Sequence, residues 1–152
     1  MAMKETEGSL RGYFLLAGIV SVLMALRDNS ALGAVNVSAL PTGQKAALYI
    51  PIVTRLLLGC GFVFAGIKLK SALLAGGTWI KQMLVVSGAI LFINGALLTA
   101  EFGLEPAQSG IIGAAIGLAI TIYLYRSVVR LAADAAAKAG IAPPPPQAKV
   151  AR

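Results

Sequence analysis

The chain is predicted to be an all-α integral membrane protein. The expected architecture is a compact bundle of four transmembrane helices, N-in/C-in, with helix four extended into the cytoplasm. Three observations predict it. Four long apolar runs, near residues 12–27, 48–67, 83–100 and 109–125, occupy most of the 152 residues, and a membrane helix needs about 20 mainly apolar residues. Charged residues make up only 12% of the chain and mean hydropathy is +0.83, whereas a soluble domain carries roughly 25% charge. The basic residues gather at the ends of the runs, as expected where charge fixes membrane orientation.

The first span is expected over 9–27, after an N-terminal segment 1–8. Counted from Gly12 to Leu26 its apolar part covers only about 22 Å of a hydrocarbon core about 30 Å thick. Ser9 as N-cap and a snorkelling Arg11 would lengthen it. A cleaved signal peptide fits poorly. Arg27-Asp28-Asn29-Ser30 separates the small-residue site Ala31-Leu32-Gly33 from the apolar stretch, and Glu5 and Glu7 are foreign to a basic leader. A retained helix is the expectation. Residues 28–47 then form the longest connection, punctuated by Asn29-Ser30, Gly33, Asn36, Ser38, Pro41 and Gly43. A short extended piece is expected at Val35 and Val37.

The second span is expected over 48–67, with Pro51 as a possible kink that would lay Gln44–Ile50 along the interface. Lys68, Lys70, Trp79 and Lys81 mark the next interface, with the turn at Gly76-Gly77. The third span covers 83–100. Glu101–Pro106 makes a tight link, and Pro106 suits a first helical turn. The fourth span covers 109–126. Nothing stops the helix there, so it is expected to continue through Ala-rich sequence to Gly140. The single membrane domain is thus 9–140. A Pro-rich basic tail, 141–152, follows.

Orientation follows from sorting the basic residues. One side collects ten: Lys4, Arg11, Lys68, Lys70, Lys81, Arg126, Arg130, Lys138, Lys149 and Arg152. The other collects two, Arg27 and Lys45, and Arg55 lies within a span. Both termini are therefore expected in the cytoplasm. The expected location is a bacterial cytoplasmic (inner) membrane. The net charge of +7 is spread along these helix ends, which argues against a nucleic-acid partner.

Arg55 is the most informative single residue, because a charge inside a span suggests a functional or pairing role. Folding helices two and three as a hairpin about the 76–77 turn sets Arg55 level with Asn94, and Glu101 one to two turns beyond. Ser87, Asn94 and Glu101 recur every seven residues and share a face. Arg55, Asn94, Glu101 and Ser87 are therefore expected to form an intramembrane polar cluster. Arg55 would pair there with Asn94, Glu101 or both. The alternatives are a solute or ion site and a contact to a lipid headgroup or another subunit. Gly59, Gly66, Gly113 and Gly117 supply small surfaces for helix packing.

Chemistry finds little footing. The chain has no histidine, which removes His-based acid–base catalysis and His-ligated metals. Cys60 lies between two glycines in an apolar helix, where a thiol is unreactive. No catalytic residue, cofactor or metal ligand is assigned. The expected role is a non-enzymatic structural or interaction subunit of a homo-oligomer or larger membrane complex. Its partners would be the bilayer, other copies of itself or other membrane subunits. The alternative is a small oligomeric transporter or channel with a polar path at Arg55, Asn94 and Ser87.

The topology has a direct test. Reporter fusions at Arg152 and within 28–47 should give opposite readings of membrane side, and matching readings would refute four spans.

Overall fold

The computed structural model describes residues 6–33 and 36–140, apart from the side chains of 105–110. Four α-helices account for nearly all of it: α1 (Glu7–Leu32), α2 (Thr42–Leu74), α3 (Thr78–Phe102) and α4 (Leu104–Lys138). All four are long and apolar enough to cross a membrane. No strand occurs among the described residues. Their 25–35 residues correspond to about 38–52 Å, more than a hydrocarbon core of about 30 Å requires.

The helices exceed the apolar runs because their polar ends remain helical. Thr6, not Ser9, is the N-cap of α1. Ser9 N–H donates to Thr6 Oγ1 at 3.2 Å and Thr6 N–H donates to Ser9 Oγ at 3.0 Å, a reciprocal box that satisfies two orphan amides. At its other end α1 runs through Arg27–Leu32, so the expected 28–47 connection shrinks. Val37 lies in a single 3₁₀ turn, Val37–Ala39, instead of an extended piece; Val35 lies outside the described residues. Lys45 donates to the Ser38 carbonyl at 3.0 Å and ties this turn to α2.

Pro51 does not break α2, and Gln44–Ile50 continues the same helix. Proline leaves the carbonyl four residues back without its usual donor. Membrane helices tolerate this where Ser or Thr hydroxyls and neighbouring helices re-satisfy nearby groups. Thr54 Oγ1 donates to the Ile50 carbonyl at 2.8 Å and approaches that of Pro51 at 3.2 Å.

The α2–α3 turn is a Schellman closure. Gly77 N–H bonds Ala72 O at 2.7 Å and Gly76 N–H bonds Leu73 O at 3.0 Å, with φ of 81° at Gly76 and 67° at Gly77. Gly103, at φ 80°, is the whole link between α3 and α4. The fourth helix therefore starts earlier than expected and carries Pro106 in its first turn. It ends at Lys138, just before Gly140 at φ 68°. The tail 141–152 lies outside the described residues.

Packing is uneven. α1 and α2 are in contact along their length. A Cβ at Gly18 would stand 2.7 Å from the Gly59 carbonyl and the Val63 amide, and one at Gly66 2.9 Å from Leu15. α3 and α4 join this pair mainly toward the end that holds the start of α1 and the last turns of α4. Leu10, Phe14, Leu69, Ile80, Leu84, Leu124 and Val128 make a buried core there. A Tyr13–Tyr123 edge contact at 6.2 Å links α1 to α4. Toward the other end no described side chain between residues 89 and 120 is buried. The α1–α2 and α3–α4 hairpins thus close at one end and leave a wedge at the other.

Gly18 gives the test of this packing. Gly18→Val should lower thermal stability in detergent by about 3 kcal/mol, the upper range for overpacking, because the added atoms strike backbone. Gly12, whose Cβ would meet nothing within 4 Å, is the control: Gly12→Ala should be neutral or gain up to about 1 kcal/mol. Equal effects at both sites would remove the close approach.

Candidate functional site

Within the wedge lies a cleft of about 370 Å³, lined by all four helices. Its polar lining comes from Ser21 on α1, Thr54 and Arg55 on α2, Ser87 and Asn94 on α3 and Thr121 on α4. Phe62 and Leu124 line its inner end, and the buried core lies beyond them. The cleft is thus bordered by the packed core on that side.

Most of the polar groups here already have partners. The Ser87 hydroxyl is buried and donates to Leu84 O at 2.8 Å; that of Thr121 donates to Gly117 O at 2.8 Å. Such back-bonding hides the hydroxyl from lipid at little cost. The Asn94 carboxamide donates across to Thr54 Oγ1 at 2.9 Å, which ties α3 to α2. In membranes an interhelical bond of this kind contributes on the order of 0.6–2 kcal/mol. No buried side-chain nitrogen or oxygen among the described residues lacks a partner.

Arg55 does not pair with Asn94 or Glu101. It pairs with Asp28 of α1. The reason is helical geometry. Thr54 and Arg55 are adjacent and so point about 100° apart; with Thr54 turned to α3, Arg55 is turned to α1. Because α1 stays helical past Arg27, Asp28 is held where the guanidinium can meet it. Both side chains are 43% exposed, which places the pair at the cleft's mouth.

Glu101 is separated from the other expected members. Its carboxylate lies over the first turn of α2, where a Cβ at Gly43 would stand 2.6 Å from either oxygen. A carboxylate at a helix N-terminus meets the positive end of the helix dipole. The seven-residue recurrence therefore places Ser87 and Asn94 in the cleft and Glu101 at the start of α2.

The expected packing glycines also divide. Gly59 and Gly66 lie against α1. Gly117 meets Leu91 of α3, with a Cβ at 3.0 Å, and Gly113 has open space around it. Both Gly113 and Gly117 line the cleft. Three residues outside the expected set matter as much: Gly18, Asp28 and Thr54. Gly18 and Ala25, both buried in α1, are small residues seven apart, a signal that was present in the sequence. Asp28 carries no such signal, because Arg27-Asp28-Asn29-Ser30 reads as a polar loop.

Chemically the cleft offers one guanidinium, one carboxamide and several hydroxyls, beside the Asp28 carboxylate. No group of three or more His, Cys, Asp or Glu that could hold a metal occurs among the described residues. The free thiol of Cys60 is exposed on α2. No protein-family profile, curated protein or solved structure matches this chain.

The ion pair yields a double-mutant test. Arg55→Leu and Asp28→Asn should couple by about 1–3 kcal/mol, above most exposed pairs and below a fully buried one. Arg55→Leu and Glu101→Gln should add. Coupling to Glu101 in place of Asp28 would overturn the assignment.

Proposed function

We propose that the protein is a non-enzymatic, multi-pass membrane subunit that acts by packing against further membrane helices, in a homo-oligomer or a larger complex. One observation carries this reading: on α3 and among the described side chains of α4, burial stops at Gly88 and Thr121, while the polar lining continues past them into the open wedge. Lipid cannot hydrogen-bond Asn94 or the Arg55–Asp28 pair, so leaving them facing acyl chains is costly. Gly95, Gly113 and Ala114 at the same level let a neighbouring backbone come close. The ten-to-two division of basic residues supports an N-in/C-in orientation, with the last turns of α4 in the cytoplasm. A bacterial inner membrane suits this arrangement.

Mild-detergent purification with mass spectrometry of the intact assembly tests the reading. The expected result is a multiple of the 15.6 kDa chain or a defined set of additional subunits. Gly113→Leu, in open space within the cleft, should shift the assembly toward monomer and leave helicity intact. A wild-type monomer in detergent and in lipid nanodiscs alike would sink the proposal.

A second reading has its own observation: Arg55, Asn94 and Ser87 line one cleft, as a small oligomeric transporter or channel would need. It predicts a solute or ion flux in proteoliposomes that Arg55→Leu abolishes while the assembly survives. Absence of any flux favours the first reading.

A further inference from the structure

The other side of the α3–α4 seam, turned away from the cleft, is an apolar groove. Its part nearer the C-terminal turns of α4 has a volume of about 410 Å³. Gly88 and Ala89 form its floor, Val85, Leu118 and Ile122 its walls, and Tyr125 and Arg126 stand at its end. A further hollow of about 330 Å³ continues along the seam beyond Leu118. From Leu118 to Arg126 the first part runs about 12 Å, close to the roughly 15 Å depth of one leaflet's hydrocarbon.

The two ends of this part differ in chemistry. Thr121 hydroxyl is satisfied by its own helix, so the polar groups left to face a ligand there are the Arg126 guanidinium and the Tyr125 phenol. Arg126 forms no ion pair or hydrogen bond among the described residues. Arg130, also exposed, follows one turn later on the same stripe, and like charges four apart on a helix repel. Asp134 continues the stripe but forms an ion pair with neither. Tyr125 is an aromatic of the type that anchors at the headgroup level.

We infer that this groove binds an anionic phospholipid. One acyl chain lies along Gly88 and Ala89, and the phosphate rests against Arg126 and Arg130. The inference depends on the membrane-spanning reading of these helices. Charge complementarity selects the occupant. A chain with an anion at one end matches a groove that is apolar throughout and cationic at one end. A purely apolar helix in the same place would leave the two arginines uncompensated. Basic sites between membrane helices are a recurrent setting for anionic headgroups.

The test uses the full chain in mild detergent, titrated with phosphatidylglycerol or with phosphatidylcholine of the same acyl chains, and reads the melting temperature. Phosphatidylglycerol should raise it and phosphatidylcholine should not. Arg126→Gln should weaken the phosphatidylglycerol response roughly fivefold, the worth of one basic contact near a membrane surface. Ala89→Phe, which fills the floor from an exposed position, should abolish the response without changing the lipid-free melting temperature. Equal responses to both lipids, or an undiminished response in either variant, would overturn the site. Stabilisation by soluble glycerophosphate alone would also overturn it, since the groove would then contribute nothing. Loss of an oligomer in lipid-free Ala89→Phe would assign the groove to a second copy. These failures leave the reporter-fusion topology intact, so they are distinguishable from failure of the spanning reading.

Discussion

The approach of α1 to α2 at Gly18 and Gly59 is the constraint on which the remaining geometry rests. Between two apolar helices in lipid the hydrophobic effect supplies no net attraction, and van der Waals contact at small residues takes its place. Here a side chain at Gly18 would collide with backbone on α2. The two helices consequently run in contact from Leu15–Gly66 to beyond Gly18–Gly59. That closeness brings Asp28 to Arg55 and leaves Thr54 free to face α3. The charge within α2 is thereby neutralised inside its own hairpin.

The second hairpin is held differently. A Schellman turn at Gly76-Gly77 reverses the chain, and a large-residue core beside the start of α1 and the later turns of α4 clamps α3 and α4 to the first pair. Away from that core the attachments are few and polar. Asn94 bonds Thr54, and Glu101 lies over the start of α2. Interhelical bonds in membranes are individually worth little, so the wedge is the least tightly held part of the fold and the polar cleft lies inside it. Local stability should follow the same gradient, because sparse burial and low packing density mark the regions that open first.

Much of this was legible residue by residue. The four apolar runs located all four helices, and Gly76-Gly77 located the turn between the hairpins. Depth matching across that turn set residue 94 opposite residue 55, and the structure joins Asn94 to Thr54, one residue away. Helix ends were not legible, because apolarity marks the part of a helix suited to the bilayer and not where its backbone hydrogen bonding stops. Arg27–Leu32 is polar at its start yet helical, because a backbone already in register adds one hydrogen bond per residue fixed. With that extension Asp28 moves from a loop onto a helix, and the partner of Arg55 changes with it.

By itself, the sequence determined the class, number and approximate span of the helices, because length and apolarity are local properties that each segment carries alone. It also determined that Arg55 needs a partner, since a lone charge within an apolar helix is costly in any arrangement. Only the tertiary structure decided who that partner is. A 100° step between neighbouring residues sends Thr54 and Arg55 to different helices, and which helix lies on which side is a matter of packing. The same holds for the glycines. Gly18, Gly59 and Gly113 are equivalent as letters, yet two of them join backbones and the third faces open space.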